Sequence, residues 1–434
     1  MQERLWVSQL GQHVGEQVRL GGWLHRLRRL GSVSFLLLRD STGIAQIVIE
    51  DSALVDEIAH LSNESVLMLE GLVVAEAQAP GGIEIHQPII QVISPVTEPP
   101  PLELFRPTIP AQLPTILDHA AVALRHPRQQ ALWRIANASM SGFRRTLRTA
   151  GFTEIQTPKI VATATESGAN VFKIDYFDTP AYLAQSPQFY KQIMVGVFER
   201  VFEVGKVFRA EPHSTTRHLN EYVSLDVEMG FIENHRDVMA MLTHVLKGMT
   251  DAIREEAASS LAVLDLDLPE IPDEIPFIHF ADALALICEL TGENVHSEPD
   301  LAPAHERVLG EWAQREFASD FLFVEGYPMV KRPFYTHPDP ERPAYSNSFD
   351  LLFRGVELVT GGQRLHLYAD YLKTLEDRSL EPTAFEGYLE AFKYGMPPHG
   401  GFAIGLERWV SQLAGLANVR EAALFPRDMH RLTP

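Results

Sequence analysis

Gly400-Gly401-Phe402-Ala403-Ile404-Gly405-Leu406-Glu407-Arg408 is a glycine-rich strand running into a helix. The helix has an apolar face of Leu406, Trp409, Val410 and Leu413. Small residues let a ligand approach the backbone, and a helix N-terminus favours anions. Arg408, in the first helical turn, adds a charge-assisted contact suited to phosphate. Alone, such a stretch also fits a capped core helix. A second stretch, Phe208-Arg209-Ala210-Glu211, narrows the choice. On a strand, Arg209 and Glu211 point to the same face, where they can grip a phosphate and a base amine. A polar loop with Arg217 and His218 follows, then a strand with Asp226 and Glu228 two apart. Strand, charged loop and strand make a hairpin floor, polar on one side. An isolated Arg-x-Glu is far more often a surface salt-bridge ladder.

Outward from these stretches, strands (Val201 to Phe208, Tyr222 to Phe231, Phe349 to Thr360) mix with helices (Arg236 to Ala258, Phe280 to Leu290). This pattern predicts one large α+β domain over 127–434. It opens with a helix started by Pro127, carrying Leu132, Ile135, Ala136, Met140, Phe143 and Leu147 on one face, and stopped by Gly151. Residues 95–114 hold seven of the 29 prolines, which block helix and interior strand, so 97–126 reads as a hinge. Residues 1–96 carry five strand patterns (Val18 to Leu24, Ser34 to Arg39, Ile44 to Glu50, Val66 to Val74, Ile83 to Ile93), with a short helix, Asp51 to Leu61, after the third. That order suggests a small oligonucleotide-binding barrel, other small β-barrels or sandwiches remaining open.

A chain of 434 residues suggests two or three domains, and 45% hydrophobic with 22% charged residues is ordinary for a globular protein. One cysteine, Cys288, excludes an internal disulfide and argues against a cysteine-built zinc site. A reducing, cytoplasmic setting is expected, with no signal peptide or membrane span. The net charge of −20 argues against non-specific coating of nucleic acid. It leaves room for a selective enzyme with local basic patches.

Together the motifs resemble a known family. Gly151-Phe152-Thr153-Glu154-Ile155-Gln156-Thr157-Pro158 resembles motif 1 of the class II aminoacyl-tRNA synthetases, Phe208 to Glu211 motif 2, and Gly405 to Arg408 motif 3. They occur in the family's order behind a barrel like that of the aspartate, asparagine and lysine subgroup. The likeness runs to Phe425-Pro426-Arg427-Asp428. Gln185-Ser186-Pro187-Gln188-Phe189-Tyr190-Lys191 is similar to the aspartyl branch, and the short span between Tyr222 and His399 resembles its compact archaeal-type form.

The resemblance implies an ATP-dependent aspartate–tRNA ligase with Mg2+. Lys191 and Arg364 would converge positive charge on the substrate's side-chain carboxylate, which asparagine would leave unpaired. Glu166, Ser186, Gln188 and Asp226 would surround the amino acid. Arg209 would hold the α-phosphate, and Arg217 and Arg408 the γ-phosphate end. Glu211, His218, Leu219, Gly405, Leu406 and Glu407 would complete the ATP site. Glu357 and Thr360 would hold the metal, Thr360 standing where many aspartyl enzymes have serine. Ala403 stands where glycine is usual, so its methyl must fit beside the adenosine. Pro158 would lie at a homodimer interface.

In the barrel, Phe35 would stack on the middle anticodon base, Gln46 would read its edge, and Arg26, Arg28 and Arg29 would meet phosphates. His25 and Pro80 would lie near the third base, where the strict relatives carry a tryptophan and a lysine. This substitution implies acceptance of both tRNA(Asp) and tRNA(Asn), with an amidotransferase finishing the second product. Competing readings are an asparaginyl enzyme, an inactive RNA-binding paralogue and a free-standing asparagine synthetase.

Overall fold

The computed structural model describes residues 3–162, 170–212 and 215–434. The chain forms two compact units, 1–126 and 127–434.

In the first unit, Gln17–Leu30, Val33–Arg39, Ile44–Ile49, Ile83–Ser94 and Val66–Ala75 pair in that order, and Val66–Ala75 also pairs with Gln17–Leu30, closing the ring. A sixth, very short strand, Arg4–Leu5, lies parallel to Arg19 and Leu20 and was not foreseen. Inward positions (Leu20, Leu24, Leu36, Leu38, Ile47, Leu69, Ile85) form one apolar core. Asp51 caps the helix Ser52–Ile58 by accepting from the Ala53 N–H. The first strand runs six residues beyond its expected end at Leu24. The register shifts between Leu24 and Arg26, so His25 is the extra residue of a bulge. Alternation restarts in opposite phase beyond it, which disguises Arg26 to Leu30 as a loop.

Residues 97–126 belong to this unit. Leu102, Leu104 and Ala123 make a small core of their own. The prolines do not exclude helix throughout: Pro114 sits in the first turn of Leu113–Asp118, where its missing N–H has no intrahelical partner to lose.

The second unit is built on an eight-stranded sheet. Its order is Phe277–His279, Phe321–Glu325, Ser348–Phe353, Val356–Gln363, His399–Gly405, Glu221–Gly230, Arg200–Phe208 and Thr153–Glu154. Only the two outermost pairings are parallel. The helices Pro127–Thr149 and His235–Glu256 pack on the sheet through Ile135, Phe143, Leu242, Leu246, Phe402 and Trp409. A second cluster, around Phe189, Tyr371, Tyr388 and Phe392, joins the helices Gln188–Phe198, Tyr368–Asp377 and Glu386–Lys393. The expected single strand from Phe349 to Thr360 is a hairpin. Arg354 and Gly355 turn it with φ of 50° and 70°, the signature of a two-residue type I′ turn. Leu351 to Phe353 before the turn and Val356, Leu358 and Val359 after it are apolar, so hydrophobicity does not mark it. Among the described residues no helix is long and apolar enough to cross a membrane.

Gly142 lets the two long helices touch. A Cβ there would meet the Gly248 carbonyl oxygen, and Met249 Cα at 2.8 Å. In an open helix, Gly→Ala gains about 1 kcal/mol of propensity. Here overpacking, typically about 1–3 kcal/mol, opposes and exceeds it. Gly142→Ala is expected to unfold at lower denaturant concentration than the wild type; an unchanged or higher midpoint would refute close contact at this crossing.

Candidate active site

The strands Glu221–Gly230, His399–Gly405 and Val356–Gln363 form the floor of a cavity of about 520 Å³. Seven lysine and arginine side chains and four carboxylates line it among the described residues. Two groups of charges lie along the central strand. From Gly401 to Gly405 is four residues, about 13 Å at ~3.3 Å per residue.

At the first end, strand alternation puts Asp226 and Glu228 on one face, opposite Ala403 and Gly401. Lys191 reaches over from its helix. Its Nζ lies 3.1 Å from Asp226 Oδ1 and 3.3 Å from Glu228 Oε2, and donates to the carbonyls of Val227 and Phe402. Arg364 donates from Nε to Glu228 Oε1 at 2.9 Å and from Nη2 to the Gly401 carbonyl at 3.0 Å. Burial alone would raise the Glu228 carboxyl, but the charges of Arg364 and Lys191 outweigh it and hold it below its ordinary range. The Ser224 hydroxyl donates to Asp226 at 2.6 Å. The Gln188 N–H donates to Ser186 Oγ at 3.2 Å, and the buried Gln188 Nε2 has no partner among the described residues. This geometry corrects the expectation of uncompensated positive charge. Lys191 and Arg364 are brought together, but by two carboxylates that already balance them. Glu166 lies outside the described residues.

At the second end, the strand stops at Phe208, short of Arg209 and Glu211. Pairing persists one step further, Arg209 N–H donating to Asn220 O at 2.9 Å, and both side chains line the cavity. His218, Leu219 and Gly405 line it too. Arg408 Nη1 donates to the Glu357 carbonyl at 2.9 Å. Arg217 Nη2 donates to Glu306 Oε2 at 3.1 Å. The Leu406 side chain is buried in the apolar core, as the first residue of an amphipathic helix, and does not line the cavity. Glu407 lines the cavity, but both its oxygens accept from the Val223 N–H, at 3.1 and 3.0 Å. Burial pushes its carboxyl up to about 7, so it ties helix to hairpin more than it offers charge.

A divalent cation fits the oxygen donors beside Arg408. Thr360 Oγ1 donates to Glu357 Oε1 at 3.3 Å. Asp350 stands behind them: burial pushes its carboxyl up to about 6, Glu357 adding to the rise and Arg332, 3.0 Å away, opposing it. A buried Asp350 with the Glu357 charge beside it is an arrangement that a hard cation relieves. Among the described residues no three acidic, histidine or cysteine side chains gather as a metal cage. A Mg2+ site shared with phosphates needs only one or two.

The sequence reading missed Glu306, Asp350 and Arg332. Arg332 follows Lys331 and precedes Pro333, which reads as a surface loop. Glu306 lies on a helix with no motif around it.

In the first unit, Arg28, Phe35 and Val48 form one cross-strand row on the outer face, and Arg26, Leu37 and Gln46 the next. The Gln46 amide donates to Glu84 at 2.7 Å, and the Arg26 guanidinium lies 4.8 Å from the Phe105 ring centroid. Arg29 alternates away from this row and lies 3.7 Å from Asp56. His25 is buried at 6% exposure. Its Nδ1 lies 3.1 Å from Arg39 Nη1, and Arg39 pairs with Glu64 at 2.8 Å. Burial first, then Arg39, lowers its pKa to about 4. A cavity of about 300 Å³ lies against it, lined by residues 62–64, 99–100 and 102–105; Pro80, exposed in its turn, is not among them. Pro158 is exposed.

The comparisons agree with this layout. The family described as tRNA synthetases class II (D, K and N) matches residues 112–429, and the OB-fold nucleic acid binding domain matches residues 18–93. An aspartate–tRNA(Asp/Asn) ligase from Thermus thermophilus is 48% identical over 99% of this chain and 100% of its own length. Its namesake from Deinococcus radiodurans is 47% identical over 100% of this chain and 99% of its own. Among solved structures, the asparaginyl-tRNA synthetase from Pyrococcus horikoshii complexed with asparaginyl-adenylate has a TM-score of 0.93 at 32% identity, each chain covered in full. With an anticodon-type barrel ahead of a charged antiparallel floor, and that family matched across the whole second unit's site, this chain belongs to the class II tRNA synthetases of the D, K and N group.

Proposed function

We propose that the chain activates L-aspartate with ATP and transfers the aspartyl group to tRNA(Asp) and to tRNA(Asn), the second product being left for an amidotransferase. The observation that carries this reading is one cavity with Lys191 and Arg364 fixed at one end and Arg209, Arg217 and Arg408 at the other. An amino acid with an anionic side chain and a triphosphate together need cations at both places. The relatives nearly half identical to this chain are named for aspartate, which supports the same choice.

The substrate α-carboxylate attacks the α-phosphorus, the bond to the bridging oxygen breaks, and pyrophosphate leaves with the electron pair. This step needs positioning and charge neutralisation more than proton transfer. Arg209 holds the α-phosphate, and Arg217 and Arg408 hold the far end of the nucleotide. Mg2+, when bound at Glu357 and Thr360, supplies further neutralisation of phosphate charge. The terminal ribose hydroxyl of the tRNA then attacks the adenylate carbonyl and AMP leaves, with the adenylate's own phosphate taking the proton. Glu166 meets the substrate ammonium, and Pro158 lies in the interface of a homodimer.

A second reading has one observation in its favour. Lys191, Arg364, Asp226 and Glu228 compensate one another, so charge balance alone leaves room for asparagine. ATP–pyrophosphate exchange distinguishes the two. We expect exchange with aspartate and little with asparagine; equal exchange would overturn the assignment. Lys191→Leu should lose aspartate activation and also about 3–5 kcal/mol of stability, because it strands buried carboxylates. Denaturation of that variant checks the second half.

Arg209 is expected to act mainly in the transition state. Arg209→Ala should lower the turnover of adenylate formation far more than it weakens aspartate binding. Turnover near the wild-type value would make Arg209 structural.

For tRNA choice, Arg39 can only donate, so His25 Nδ1 accepts and the ring carries its proton on Nε2. Both pyrimidines at the third anticodon position offer the same O2 acceptor, so such a donor would serve either. Charging of the two transcripts should differ by less than about a hundredfold, since one lost base contact is worth only ~1–3 kcal/mol. A larger preference for tRNA(Asp) would refute relaxed selection.

A further inference from the structure

The helix Pro303–Phe317 lies outside the motifs that led to the site. An acid in a first helical turn commonly faces solvent and meets the positive end of the helix dipole. Glu306 occupies that position but is only 6% exposed. Its Oε2 accepts from Arg217 Nη2 at 3.1 Å and from the main-chain N–H of Glu357 at 2.9 Å. The carbonyl of the same Glu357 accepts from Arg408. Three residues of the phosphate and metal end are therefore joined through one carboxylate from a distant helix. Backbone contact puts the helix there. A Cβ on Gly310 would stand 2.5 Å from Gly355 Cα, and one on Gly355 would stand 2.9 Å from Arg307 Cα. Gly355 also turns the hairpin that carries Glu357.

We propose that Glu306 is a positioning residue for the ATP-binding end, holding Arg217 and the main chain of Glu357 in one fixed relation. The proposal rests on the ATP-dependent reading above. A guanidinium has five N–H donors, so an arginine pinned to Glu306 through one nitrogen still presents others to a phosphate. The pairing also removes rotamer freedom that binding would otherwise have to remove.

The test compares wild type, Glu306→Ala and Glu306→Gln in aspartate-dependent ATP–pyrophosphate exchange, with ATP and aspartate varied separately, alongside calorimetric titration with ATP and thermal melts. Glu306→Ala should lower kcat/KM for ATP by about 10–100-fold while KM for aspartate changes little, and Glu306→Gln, which keeps an acceptor oxygen, should fall between. A tighter KM for ATP in Glu306→Gln would mean that Glu306 competes with phosphate, and would overturn the proposal. So would unchanged ATP parameters, or losses shared equally by ATP and aspartate and tracking the melting temperature. Were the wild type to bind ATP yet activate no aspartate, the amino-acid reading would fall, while weaker ATP binding by Glu306→Ala would still support the role of Glu306.

Discussion

Glu228 has no exposed surface, and three other pieces of the chain meet at its carboxylate. Lys191 arrives from a helix, Arg364 from the end of one strand and Gly401 from the strand opposite. A carboxylate in a dry interior is tolerable only with such partners, and removing one costs about 3–5 kcal/mol. The same constraint explains Gly401: a Cβ there would run into the Glu228 carboxylate and the Val227 carbonyl. Behind the cluster, Gln192 Oε1 lies within hydrogen-bond distance of the Tyr371 and Tyr388 hydroxyls and of His399 Nε2. Burial lowers the His399 pKa to about 4, so this wall adds no cation of its own at neutral pH. The Glu228 end of the site is thus nearly charge-neutral, its cations already paired with carboxylates.

Attraction comes from elsewhere. The chain as a whole carries −20, yet lysine and arginine outnumber carboxylates in the cavity wall. A local excess inside low-dielectric walls focuses the field and draws an anionic substrate despite the overall charge. The barrel uses a more open version of the device. Arg26 and Arg28 flank Phe35 and Gln46 on a solvent-facing sheet, where a stacking ring and nearby cations suit single-stranded nucleic acid. Contacts of that kind weaken with salt, whereas the paired charges around Glu228 are screened little.

Much of this was legible because it depends on short-range periodicity. A period of two put Asp226 with Glu228, and a period of 3.6 put Leu406, Trp409, Val410 and Leu413 on one face. That second pattern already placed the Leu406 side chain in the core, since a residue on the apolar stripe of a helix packs there. The Arg354–Gly355 turn was missed because apolar residues flank it on both sides, leaving only a glycine at positive φ as its signal. The extended first strand was missed because one bulged residue, His25, inverts the alternation on which strand reading depends.

By itself the sequence determined the α+β class with a barrel preceding it, the hairpin floor and the cation types available for phosphate, since each follows from neighbours a few positions apart. Only the tertiary structure decided how those charges are used. Lys191 meets Asp226 and Glu228 across 35 and 37 positions, and Glu306 meets Glu357 across 51 and Arg217 across 89. No local pattern encodes such a pairing. Whether a buried cation is free for a substrate or already balanced is set by which distant carboxylate the packing of helix on sheet brings beside it.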